Sequence, residues 1–265
     1  MSDFDPQSAA GALRQAREGR TTPRRLPPEI APRTAAEAAA VQRALAEHSG
    51  QRAPGGFKIG ATAARMQEYL GLSGPAAGFI ATGDIHKSGA SLPFDSFVHP
   101  GVECEVAVRL ARDIPAAACT MEEAAQAVGE LFAAIEIVEN RYGDLAQLHA
   151  PTLIADQVFH AAAVIGDPPE TDWRTLDIAA LPGRLTVDGH ERGHGMAADL
   201  LGHPFQCLAW LAGSEVAAAF GGLRTGQVIL LGSVTPPIWL QGPARVAVEF
   251  TGLPAVLFSF LQTRN

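Results

Sequence analysis

Glu103 and Glu105 stand two residues apart in Val-Glu-Cys-Glu-Val-Ala-Val, a segment of β-rich alternating character. The period of two puts both carboxylates on one face of a strand. Cys104 then points to the other face with Val102 and Val106. Two carboxylates this close repel, and like charge raises the pKa of one of them. A third acid, Glu136, lies in Ala-Ala-Ile-Glu-Ile-Val, where β-branched neighbours suggest a central strand. A lone buried Glu is costly. One hard divalent cation, Mg²⁺ or Mn²⁺, would resolve both problems and leave positions for water and substrate. The competing reading is an exposed Glu-x-Glu face with Glu136 paired to an arginine such as Arg141. Zinc is disfavoured, because the eight histidines form no HxH or HExxH pattern.

The elements that must position these acids follow from pattern. Residues 6–19 predict a helix, with Ala10, Leu13 and Ala16 at helical spacing. Thr34, with Glu37 three residues on, resembles the start of a second helix that ends at Gly50. GGFKIGAT predicts a short strand and ARMQEYLGL a helix. VECEVAVRLARDI and AAIEIVENRY predict strands on either side of an amphipathic helix, MEEAAQAVGELF. DQVFHAAAVIGD ends as a strand. Asp188-Gly189 marks a hairpin, and His194 and His203, each beside a glycine, suit capping and turn chemistry. Pro204 to Phe220 predicts one helix, and QVILLGSV and ARVAVEFTGLPAVLFSF complete a β-rich half. Without regular βαβ alternation, an α+β, mixed-sheet fold is expected. It divides into an N-terminal helical region, 1–75, and a β-rich catalytic core, 76–265.

The bulk numbers narrow the partners. The chain has 265 residues, and its 47% hydrophobic content supports a real core. A net charge of −8 and no long Lys/Arg run argue against nucleic acid. Three unclustered cysteines argue against a disulfide framework. With no signal-peptide pattern and no membrane-length apolar run, a cytoplasmic protein away from the membrane is expected.

Five segments occur in order: GFKIGAT, PGVECEVAVRL, AAIEIVENR, the stretch from GHG to LGHPFQCLAWLA, and GQVILLGSVTPP. Together they resemble the fumarylacetoacetate hydrolase superfamily over about residues 10 to 260. They are most similar to its 2-keto-4-pentenoate hydratase and 4-oxalocrotonate decarboxylase branch. The resemblance implies a mixed β-sheet roll with helical cover and a Mg²⁺ or Mn²⁺ site on Glu103, Glu105 and Glu136. It also implies a proton-transferring lysine at Lys58, a 2-oxo acid substrate and a place in aromatic catabolism. A 2-oxo acid chelates a cation through its carboxylate and oxo oxygens, so an acidic protein can hold an anion there. Gly232-Ser233-Val234-Thr235 is similar to the Gly-Ser-Phe-Thr of vinylpyruvate-type hydratases, whereas decarboxylases resemble Gly-Gly-x-Thr. Thr235 and Ser233 are assigned to the substrate, with Gly60 and Gln157. The family stretch resembling Asp-Asn-Ala-Ser-Ser-Gly reads Asp156-Gln157-Val158-Phe159-His160-Ala161 here. His160 either takes a proton-transfer role or packs the core. Asp84, in a Gly-rich loop, is a further candidate acid.

The expected activity is hydration of a 2-hydroxy-2,4-dienoate. Decarboxylation, oxaloacetate tautomerisation and acylpyruvate hydrolysis are alternatives on the same metal. The apolar helices suggest a homo-oligomer, and association with a partner pathway enzyme is a further expectation.

Overall fold

The computed structural model describes residues 4–20, 26–142 and 149–262. Two capped helices open the chain. Asp5 accepts from the Gln7 and Ser8 amides at the start of α1 (Pro6–Glu18), and Thr34 accepts from the Glu37 amide at the start of α2 (Ala35–His48). These caps satisfy amides that have no partner within the helix. There follow β1 (Gly56–Gly60), α3 (Ala64–Leu70), β2 (Ala76–Ile80), β3 (Ile85–Lys87), β4 (Ala90–Pro93) and β5 (Pro100–Leu110). Next come α4 (Met121–Gln126), β6 (Val128–Glu139), α5 (Ala150–Ala155), β7 (His160–Ile165), β8 (Pro182–Val187) and β9 (His190–Met196). The chain ends with α6 (Pro204–Ala212), α7 (Glu215–Ala219), β10 (Val228–Ser233), β11 (Ile238–Trp239), β12 (Ala244–Phe250) and β13 (Val256–Leu261).

Among the described residues the strands form two sheets. The larger has the order β2-β1-β10-β5-β6-β7-β3, with β11 added beside β5. Its β1–β10 and β3–β7 pairs are parallel and the rest antiparallel. The smaller sheet runs β4-β13-β12-β8-β9, and β12 and β13 pack on β6. This is the mixed, curled α+β architecture expected, with α1 and α2 as cover. β1, early in sequence, enters the larger sheet between β2 and β10. The predicted hairpin joins β8 to β9, with Asp188 and Gly189 both at positive φ. His203 caps α6 by accepting from the Phe205 amide. No helix is long and apolar enough to cross a membrane among the described residues.

Two predicted elements differ. The helix expected over MEEAAQAVGELF stops at Gln126, and Val128 begins β6. The apolar residues Val128, Leu131 and Phe132 fit a helix face, but long pairing with β5 claims them for the sheet. The single helix expected from Pro204 to Phe220 breaks at Gly213–Ser214. There the Ser214 hydroxyl caps α7 by accepting from the Ala217 amide.

Candidate active site

The antiparallel register of β5 and β6 sets Glu103 directly opposite Glu136, and Glu105 opposite Ala134. Alternation turns all three carboxylates to one face, and Cys104 lies buried on the other with Val102 and Val106. One oxygen from each glutamate lies within 4.8 Å of the others. Glu105 and Glu136 are fully buried, while Glu103 is half-buried at a cavity wall. Burial, then repulsion from Glu136, pushes the Glu103 carboxyl up to about 8. Burial, then repulsion from Glu136 and Glu103, lifts Glu105 well above the carboxylate range. Burial would also lift Glu136, but the charge on Lys58 and the contact with His160 outweigh it and hold Glu136 low.

Two of these oxygens, Glu105 Oε1 and Glu136 Oε2, are buried with no hydrogen-bond partner. Such atoms carry the full desolvation penalty unless something binds them. Three converging carboxylates with orphaned oxygens fit a hard divalent cation well. The competing pairing of Glu136 with Arg141 does not form. Arg141 bonds instead to Glu139 and Asp156.

Lys58 reaches this cluster from β1. Phe57 and Ile59 face the main core, so alternation sends Lys58 to the carboxylate side. Its Nζ donates to the Val158 carbonyl at 2.9 Å and lies 3.3 Å from Glu136 Oε1. A Cβ on Gly60 would come within 3.1 Å of that nitrogen, so glycine leaves the ammonium room on the cavity side. His160, at the start of β7, contacts Glu136 Oε1 through Nδ1 at 2.8 Å, and its Nε2 is buried without a partner. The same Glu136 oxygen thus meets both Lys58 and His160. Glu105 is held by the Gly232 amide, which donates to Oε2 at 2.7 Å. That amide is aimed by an irregularity in the β10–β5 register, where Gly232 has a φ of 118°. A side chain there would also strike Thr62 Cγ2 at 2.8 Å.

A cavity of ≈ 560 Å³ opens onto Glu103. Gly60, Ser233 and Thr235 line it, with Thr62, Arg65, Met66, Tyr69 and Asp199 further round the wall. The Ser233 hydroxyl donates to the Thr235 carbonyl at 2.7 Å and accepts from the Thr235 amide, so it shapes the turn. Gln157 and His160 are buried and do not line it, Gln157 donating instead to the Phe79 carbonyl. Asp84 is not among the lining residues. It is half-buried, and burial raises its carboxyl above the ordinary range, with the charges of His160, His86 and Arg17 opposing. Sequence reading overlooked the Val158 carbonyl and the Gly232 amide, because backbone groups carry no residue signature. The outer-wall residues Arg65 and Asp199 sit on exposed segments that no periodicity singles out.

This fold and this carboxylate–lysine constellation define a class. Residues 40–259 match the model of the fumarylacetoacetate (FAA) hydrolase C-terminal family, and the chain belongs to that family. A 2-keto-4-pentenoate hydratase of Paraburkholderia phymatum is 31% identical over 98% of this chain and 99% of its own. A 2-hydroxyhexa-2,4-dienoate hydratase of Comamonas testosteroni is 32% identical over 82% of each. The solved 4-oxalocrotonate decarboxylase from Pseudomonas putida G7, complexed with magnesium and adipate, superposes with a TM-score of 0.86 at 21% identity over 97% of both chains.

Proposed function

We propose that this chain is a metal-dependent hydro-lyase that adds water to a 2-hydroxy-2,4-dienoate, giving a 4-hydroxy-2-oxo acid. One observation carries the reading: three converging carboxylates, two with orphaned buried oxygens, lie beside a buried lysine, and one of them, Glu103, lines a cavity that Thr235 also lines. Hydratase relatives that align over most of the chain support it.

Glu103, Glu105 and Glu136 would hold a Mg²⁺ or Mn²⁺ ion, which when bound would supply Lewis-acid stabilisation of the charge on a 2-oxo acid. The protein's own groups then divide the work. Lys58 has three N–H donors. The Val158 carbonyl and Glu136 engage two of them, and the side chain of residue 60 is the hydrogen of a glycine, which leaves Nζ uncrowded there. From there Lys58 moves a proton between the dienol and its 2-oxo-3-enoate tautomer. Water adds to C4 of that tautomer, because the carbonyl at C2 is conjugated to it. Thr235 offers its hydroxyl to the substrate carboxylate. His160 fixes Glu136 from behind through Nδ1.

Loss of dienoate absorbance, followed with and without EDTA, tests the proposal. Full activity without metal, or inertness toward every dienoate, would sink it. Release of CO₂ instead would move the chain to the decarboxylase reading that the 4-oxalocrotonate decarboxylase relatives favour. The reading also takes the protein as a cytoplasmic homo-oligomer in aromatic catabolism. Leu257 and Leu261, 54% and 51% exposed on one outward face of β13, support self-association, which sedimentation would measure.

A further inference from the structure

Gln157, Val158 and Phe159 follow one another with φ of 59°, 51° and 66°. None is glycine, and a β-branched residue at positive φ is a clear outlier. Three such residues in a row persist only where their surroundings hold them. The middle one supplies the carbonyl that receives Lys58 Nζ. What holds this turn therefore also sets where the ammonium sits.

The holding contacts converge on Asp156, the residue immediately before the turn, which is 1% exposed. Arg141 Nη2 and the Tyr142 hydroxyl both donate to its Oδ2 at 2.7 Å. Arg17 grips the other side. Its Nε donates to Oδ1 at 2.8 Å, and its Nη2 donates to Oδ1 and to the Asp156 backbone carbonyl at 3.2 Å. Gly78 closes the far side, where a Cβ would come within 2.9 Å of Gln157 Cβ. Arg17 belongs to the last turn of α1, ahead of the segment that matches the family model. Its side chain is 27% exposed, so replacing it opens no core.

We propose that Arg17 is a positioning residue for Lys58: through Asp156 it clamps the left-handed Gln157–Phe159 turn, so that the Val158 carbonyl holds the ammonium beside Glu136. The N-terminal helix is thereby tied to the reacting end of the cavity. A bidentate guanidinium that reaches both the side chain and the main chain of Asp156 resists rotation of that peptide, which a single contact would not. The inference rests on the role given to Lys58 under the proposed function.

The chain contains only two lysines, Lys58 and Lys87, and Lys87 is exposed on β3. Selective ¹³C labelling of lysine therefore gives one Cε–Hε signal for the site and one internal reference. In Arg17→Ala, the Lys58 signal should shift or broaden while the Lys87 signal stays in place. With a dienoate, kcat should fall roughly 10- to 100-fold, while KM and the affinity for Mg²⁺ alone stay within about twofold. Arg17→Lys should recover part of that loss, and Gly78→Ala should reproduce it. In a Lys58→Ala background, Arg17→Ala should cost nothing more. An unmoved Lys58 signal in folded Arg17→Ala, or an equal further loss in the Lys58→Ala background, would overturn the proposal. If the wild-type chain turns over no dienoate, the proposed function fails, and the two lysine signals still decide the clamp.

Discussion

At the scale of single residues, the site works by placing charges that burial alone would not tolerate. Glu105→Gln keeps the shape of the side chain and removes one anionic ligand. It should weaken Mg²⁺ or Mn²⁺ binding by more than ~100-fold, measured by calorimetry, with activity falling in step. Lys58→Met should act differently. It should leave metal affinity nearly intact and lower kcat by roughly 10²- to 10⁴-fold, the range for losing a positioned proton donor. If Lys58→Met abolished metal binding instead, the lysine would be a structural counter-charge rather than a proton carrier. A pH effect follows from the same carboxylates. Without metal, the folded chain holds Glu103 at about 8 against an ordinary 4.5, so the folded state binds more protons than the unfolded state between those values. Stability of the metal-free protein should therefore fall as pH rises from about 4.5 through about 8, and added Mg²⁺ should remove the slope. Urea midpoints at pH 5 and pH 8, each with and without metal, check the sign. Sequence made these carboxylates legible because a period-two acidic pair inside an apolar strand is conspicuous. It did not reveal that Glu136 would share one oxygen between Lys58 and His160.

At the scale of elements, strand register does the positioning. The β5–β6 pairing sets Glu103 opposite Glu136, and the irregular β10–β5 pairing aims the Gly232 amide at Glu105. Gly232→Ala should strain the backbone at φ 118° and push against Thr62. A destabilisation of about 1–3 kcal/mol is expected, with weaker metal binding because the amide moves off Glu105. A variant with unchanged stability and metal affinity would show that this bend in β10 does not support the site. The elements themselves were partly legible. Thr34 with Glu37 marked a helix start, and Asp188-Gly189 marked a hairpin, because capping and turn chemistry is local. Val128 to Phe132 were misread as helix. Their apolar spacing fits both periods, and only the partner strand β5 decides between them.

At the scale of the whole molecule, the site is assembled from β1, β5, β6, β7 and β10, so metal and fold should be coupled. A divalent ion at about 100 times its Kd adds about 2.7 kcal/mol to the folded state. For a domain of this size, that should raise Tm by roughly 5–10 °C relative to EDTA-treated protein, which a thermal scan reads directly. No rise would mean that the three carboxylates hold no metal in the folded state. Local rules determined much from the sequence alone: the capped helices, the alternating strands and the acidic pair on one strand face. Each depends on neighbours within a few residues. The tertiary structure decided what joins distant segments: the parallel pairing of β1 with β10, the meeting of Lys58 with Glu136, and the left-handed turn whose carbonyl holds that lysine. Those contacts span 78 to 172 positions of chain, and no local propensity encodes which distant strand or backbone carbonyl a side chain will meet.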